Sequence, residues 1–275
     1  MMTKANDEVV QTISMHTVGF MKEHPLPSGR EYLPSGSGVL ATIGGIRGII
    51  TAAHVVHELA GHNVGLLTHR PTTRRVHPLE FRWSDTYNVV LGGRDGSPDG
   101  PDLAFVRVPP IVETRLVNEH LFYSFDARLR SMREGDDADA LPWEMVAGVI
   151  EKNSQFGEPA NDRRVDSHFT SFIYGLSSNP RSGAEGLDLF DFTPAHGENV
   201  RRPTTYGGLS GSAVWAVGDT ATYTDRILKG IVFHETQADT DGHRNLVCHG
   251  SQCIYRDLPE AIRRRFPAEY TVDGQ

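Results

Sequence analysis

Apolar residues recur along the chain in short, β-branched runs separated by glycine, proline and acidic turn residues. Residues 36–43 (GSGVLATI) and 46–51 (IRGIIT) are two such runs joined by Gly44-Gly45. That pair tolerates the positive φ angles of a tight turn, so the segment predicts a hairpin. Further strands are predicted over 79–92, 103–108, 143–150, 168–174, 187–192, 213–217, 228–233 and 245–255. Residues 92–101 (GGRDGSPDGP) form a loop by composition. Residues 5–13 read as a short helix or arm, and 125–140 (FDARLRSMREGDDADA) as a charged linker or solvated helix. A C-terminal helix is predicted from Asp257. Asp257 can cap it, Pro259 lies in its first turn, and Arg263, Arg264 and Arg265 sit near its end. The pattern is all-β in two halves, with a charged connector between them.

Composition narrows the function classes. The 275 residues suffice for one large domain or two small ones packed together. A formal net charge of −8 argues against a nucleic-acid or anionic-membrane surface. No run approaches the roughly 18 apolar residues that a membrane span needs. Asp7 and Glu8 interrupt the stretch where a signal-peptide core would begin, so the expectation is a cytoplasmic protein. Cys248 and Cys253 are read as reduced thiols in or near a strand; a bridge, or half a metal site with His249, is the alternative.

Three short stretches carry candidate chemistry. Thr51-Ala52-Ala53-His54 ends an apolar strand, Asp102-Leu103-Ala104-Phe105 opens another, and Gly207-Gly208-Leu209-Ser210-Gly211-Ser212-Ala213 lies between a loop and a strand. A serine hydroxyl becomes a useful nucleophile when a base takes its proton as it attacks. Histidine does this near neutral pH, and a carboxylate on its far ring nitrogen fixes the tautomer and stabilises the imidazolium. The oxyanion then needs donors already in place. The backbone over Gly208-Leu209-Ser210 can supply them, with glycine at 208 removing the Cβ clash.

These stretches resemble the TAAH, DLA and G-x-S-G signatures of the trypsin-like serine peptidases, in the same chain order. The resemblance spans about residues 36–256, although only the motifs are specific. It implies two tandem six-stranded antiparallel β-barrels with His54, Asp102 and Ser210 as a catalytic triad in the cleft between them. Gly208 and Ser210 would form the oxyanion hole. The implied organisation is an N-terminal arm (1–20), a first barrel (21–120), a charged connector (121–140), a second barrel (141–256) and a C-terminal helix and tail (257–275). Gly230-Ile231-Val232-Phe233 looks like the family strand that pairs with substrate and lines the first specificity pocket. The expected activity is that of a serine endopeptidase, with no metal or organic cofactor. The rival within the same fold is a catalytically silent, peptide-binding pseudo-protease.

Departures from the digestive members refine this. Leu209 stands where they carry the aspartate that pairs with a cleavage-made N-terminus, so no activation of that type is expected. This resembles the bacterial, viral and heat-shock-type branches. Thr204 stands where the trypsin subgroup carries its selecting aspartate. Thr205 is similar to the glutamate-specific members, but Val232 replaces their histidine. Glu235, which follows Phe233 and His234, would narrow the pocket entrance. Together Thr204, Thr205, Val232, Phe233 and Glu235 imply cleavage after small or uncharged residues.

Three decoys are weighed. His57-Glu58 followed by His62 is one residue too long for a zincin motif, which rotates the second histidine about 100° around a helix. Ser212 breaks the Gly-x-Ser-x-Gly elbow of α/β-hydrolases. Asp99, in Pro-Asp-Gly, is a turn residue by composition. An unrestrained cytoplasmic peptidase would be harmful, so narrow specificity or a regulatory protein partner is expected, with 125–140 and 153–167 as candidate control surfaces.

Overall fold

The computed structural model describes residues 4–27, 29–68, 75–76, 78–92, 97–135, 141–150, 165–166, 171–196, 203–218 and 226–271. The chain opens with helix α1 (Lys4–His16). The first half then runs β1 (Thr17–Leu26), β2 (Gly29–Ile43), β3 (Ile46–Thr51), α2 (Ala53–Leu59), β4 (Asn63–Thr68), β5 (Arg75–Val76), β6 (Leu79–Arg82), β7 (Tyr87–Gly92) and β8 (Asp102–Arg107). It closes with α3 (Pro110–Glu119), β9 (Tyr123–Ser124) and α4 (Phe125–Arg133). The second half contains β10 (Trp143–Gly148), β11 (Val165–Asp166), β12 (Ser171–Ser182), β13 (Asp188–Pro194), β14 (Ala213–Val217), β15 (Arg226–Glu235) and β16 (Leu246–His249), followed by α5 (Leu258–Arg265).

The second half forms a closed antiparallel barrel in the order β10-β12-β13-β16-β15-β14. The first half forms an eight-stranded sheet in the order β6-β4-β1-β2-β3-β8-β7, with β9 added beside β2. One of the two expected six-stranded barrels is thus present, and the other half is a sheet with no closing pairing among the described residues. A 3-10 turn at Trp83–Asp85 carries the chain from edge strand β6 to edge strand β7. That turn interrupts the ladder, and no pairing joins the two edges among the described residues.

The hairpin at Gly44-Gly45 forms as its sequence demands, with φ of 54° and 78°. Its strands pair Val39 with Ile50 and Ile43 with Ile46. The predicted strand over 245–255 is shorter than expected. Chain-reversing bonds from Asp188 stop it: the Asp188 carboxylate accepts from Gln252 N–H (2.7 Å) and Cys253 N–H (2.8 Å), and its carbonyl from Gly250 N–H. These bonds cap a helical turn, Cys253–Asp257, that runs into α5. Residues 125–133 of the connector form helix α4, capped by the Ser124 side chain and anchored by buried Phe125, while 136–140 lie outside the described residues. Residues 153–164, part of the second candidate control surface, lie outside the described residues. Both cysteines are free and buried.

Buried apolar clusters span the two halves. A single cluster joins Ile13, Val39, Ile50 and Phe105 of the first half to Met145, Trp215, Ile231 and Ile254 of the second. A second joins Ala53, Val55 and Ala104 to Phe233 and Val247. Burying each large side chain contributes about 1.5–3 kcal/mol, so these shared clusters stabilise the seam between the halves. Among the described residues, no helix is long and apolar enough to cross a membrane.

Candidate active site at the seam

His54 is the second residue of α2, directly after β3, and Asp102 is the first residue of β8. Strands β3 and β8 are paired neighbours, with Thr51 opposite Ala104, so the ladder brings the two side chains together. The Asp102 carboxylate is 1% exposed and both its oxygens face His54. Oδ1 accepts from the His54 backbone N–H at 2.8 Å, and Oδ2 lies 2.6 Å from Nδ1. A carboxylate there holds the ring proton on Nδ1 and leaves Nε2 as the basic nitrogen, in a side chain that is 28% exposed. Asp99 lies in the turn before β8, where its carbonyl accepts from Ala184 N–H.

Ser210 lies on the turn that leads into β14. Glycines shape this turn: Gly208 and Gly211 have φ of 92° and 87°, a region costly for residues with a Cβ. The Leu209 amide donates inward to Tyr206 O (3.1 Å) and the Gly211 amide to Val232 O (2.7 Å). The Gly208 and Ser210 amides make no hydrogen bond among the described residues. They are the two amides that the family resemblance assigns to an oxyanion hole. No hydrogen bond joins Ser210 Oγ to His54 among the described residues.

Sequence reasoning missed Ser37. This β2 residue ties the first half to the serine turn. Its N–H donates to Ser210 O (2.7 Å), its Oγ donates to Gly208 O (2.7 Å), and Val149 N–H donates to that Oγ (2.8 Å). Thr51 Oγ1 closes the set by donating to Ser37 O at 2.7 Å. A Cβ on Gly211 would collide with Ser37 O and Thr51 Oγ1. The signal in the sequence was Gly36-Ser37-Gly38, where small residues permit close approach.

Of the predicted pocket residues, Thr205 and Glu235 meet. Glu235 Oε2 accepts from Thr205 Oγ1 (2.9 Å) and Tyr206 N–H (3.1 Å), while Arg244 lies 3.3 Å from Oε1. Arg244 was not anticipated, and it neutralises the carboxylate. Val232 and Phe233 are both buried, as β15 is covered on both faces, and a register shift in the β15–β16 pairing falls at Phe233. Thr204 is exposed. The Tyr206 hydroxyl lies 2.7 Å from His196 Nε2.

The zincin decoy separates in space. Helix α2 ends at Leu59, before His62, and Glu58 pairs with Lys22 at 2.8 Å. A largely apolar cavity of about 380 Å³, lined by Val9, Trp143, Tyr174, Leu176 and Val217, contains none of the predicted site residues.

No family model matches the chain, and no curated protein matches it. Among solved structures it is similar to one described as "Aromatic interactions drive the coupled folding and binding of the intrinsically disordered Sesbania mosaic virus VPg protein". The identity is 14%, covering 86% of this chain and 88% of that one, with a TM-score of 0.41. A likeness of that size carries no argument about the site.

Proposed function

We propose that the protein is a serine endopeptidase. The observation that carries this reading is the His54–Asp102 pair, a buried carboxylate bonded to both the backbone and Nδ1 of one histidine. In the proposed reaction, His54 Nε2 takes the Ser210 hydroxyl proton as Oγ adds to a peptide carbonyl. The Gly208 and Ser210 amides stabilise the oxyanion. Collapse returns that proton from His54 to the leaving amine and leaves an acyl-Ser210. Water then repeats the sequence and frees the acid. The reaction needs no resident metal or organic cofactor.

Glu235 stands where the family resemblance puts the pocket entrance, and it is already held by Thr205, Tyr206 and Arg244. A bonded, neutralised carboxylate offers little to a cationic side chain, which supports cleavage after small or uncharged residues. Digestion of a peptide library, read by mass spectrometry, tests the reading. Cleavage by the wild type that is absent in Ser210→Ala is the expected result.

A second reading is a silent, peptide-binding protein of the same fold. What favours it is that Ser210 Oγ lacks a hydrogen bond to His54 among the described residues. Catalytic hydrogen bonds often tighten only when substrate is bound, so the endopeptidase remains the better reading. Peptide binding without cleavage in the same digestion would favour the second.

A further inference from the structure

His249 is fully buried at the end of β16. Its ring stacks on Phe233, with centroids 4.2 Å apart and planes 21° from parallel. Its Nε2 faces the first half of the chain and accepts from the Asp102 backbone N–H at 3.1 Å. The loop before β8 closes over the ring, since a Cβ on Gly100 would lie 3.1 Å from His249 Cε1. Asp102 is therefore gripped from two sides. Its carboxylate is bonded to His54, and its amide is bonded to a histidine from the other half of the molecule.

We propose that His249 is a positioning residue for the His54–Asp102 pair. It locks the backbone at Asp102 against the half that carries Ser210, and so sets the angle at which the carboxylate meets Nδ1. The role follows from bond geometry. An amide N–H can point only at an unprotonated ring nitrogen, so the contact requires neutral His249 with its proton on Nδ1. Two carboxylates bear on the ring, Asp102 and Asp188, and both favour its protonation. Burial outweighs them and pushes His249 down to about 4. The acceptor therefore stays available throughout the range in which an ordinary histidine, with a pKa of about 6.5, gains and loses its proton.

This inference deepens the endopeptidase reading and rests on it for its purpose, but its test does not depend on turnover. In wild-type protein labelled with nitrogen-15, a coupling across the hydrogen bond should link the Asp102 amide to His249 Nε2. The His54 Nδ1 proton should resonate far downfield. His249→Phe keeps a ring on Phe233 but removes the acceptor, and it should lose or broaden the His54 resonance. His249→Gln places an amide oxygen near the site of Nε2 and should restore it. Fluorophosphonate labelling of Ser210 should slow by about tenfold or more in the Phe variant, the cost of one lost buried hydrogen bond, and recover in the Gln variant. Absence of the coupling in wild type, or an unchanged His54 resonance in a folded His249→Phe, overturns the proposal. If wild type shows the coupling and the downfield proton but does not label, the endopeptidase reading fails while the positioning geometry stands.

Discussion

Ser37 and Ser210 lie on opposite halves of the chain, and the Ser37 amide donates to the Ser210 carbonyl at 2.7 Å. The same residue holds the Gly208 carbonyl with its hydroxyl. The Gly208 carbonyl shares a peptide unit with the Leu209 amide and the Ser210 carbonyl shares one with the Gly211 amide, so Ser37 braces the serine turn through those two units from outside it. Ser37→Ala removes an acceptor from Val149 N–H and a donor from Gly208 O. Leaving such groups unpaired costs about 1–3 kcal/mol. Thermal melting should drop by a few degrees and labelling of Ser210 should slow more than tenfold. Unchanged labelling would show that the turn keeps its shape without Ser37.

Gly211→Ala should be among the most damaging single substitutions. The position has φ of 87°, and the added methyl would collide with Ser37 O and Thr51 Oγ1. Strain and overpacking together should cost about 3 kcal/mol or more. Denaturant unfolding measures this directly. A loss under about 1 kcal/mol would mean that the turn has freedom to relax.

Much of this architecture was legible in the sequence, for identifiable reasons. The hairpin at Gly44-Gly45, strand β14 and helix α5 carry strong local signals: a paired-glycine turn, an unbroken apolar run and a proline in the first turn, although Asp257 pairs with Arg256 at 2.7 Å and makes no capping bond. The His54–Asp102 pair was legible through the resemblance of its two stretches, in order, to family signatures, since a histidine or aspartate at a strand end says little by itself. Strand β1 was not, since residues 17–26 mix Lys22, Glu23 and His24 with apolar neighbours and form a strand only through partners β2 and β4. Ser37, Arg244 and His249 were missed because their roles depend on contacts across many intervening residues. The end of β16 was misjudged because apolar residues resume at Cys253-Ile254-Tyr255 after the polar turn at 249–252, whose shape Asp188 sets from another strand.

Acid should destabilise the protein earlier than carboxylate titration alone would. Burial, with the Arg226 charge adding to it, pushes buried His16 down to about 3, and burial pushes His249 down to about 4. Both bind protons more weakly folded than unfolded, where the value is about 6.5. Their contribution to stability is therefore complete above about pH 6.5. It is lost progressively as pH falls toward 4 for His249 and toward 3 for His16. Melting temperature should fall between pH 6.5 and pH 4.5, with a shallower fall in His249→Gln. A flat profile over that window would contradict the burial of neutral histidines.

On the endopeptidase reading, Arg244 would act on selectivity through Glu235. It neutralises Glu235 at 3.3 Å, and Arg244→Ala would leave that carboxylate charged and partly unpartnered. Cleavage after Lys or Arg should rise relative to small residues in a peptide-library profile. A wild-type profile already dominated by Arg, Lys or Glu would contradict the pocket reading.

The central claim is that Ser210 is activated by the His54–Asp102 pair. The most direct test is reaction of the purified protein with a fluorophosphonate probe, comparing wild type with Ser210→Ala and His54→Ala. The account predicts that wild type alone is labelled, with the adduct on Ser210. A wild type that stays unlabelled, or a His54→Ala variant that labels as fast as wild type, would contradict it.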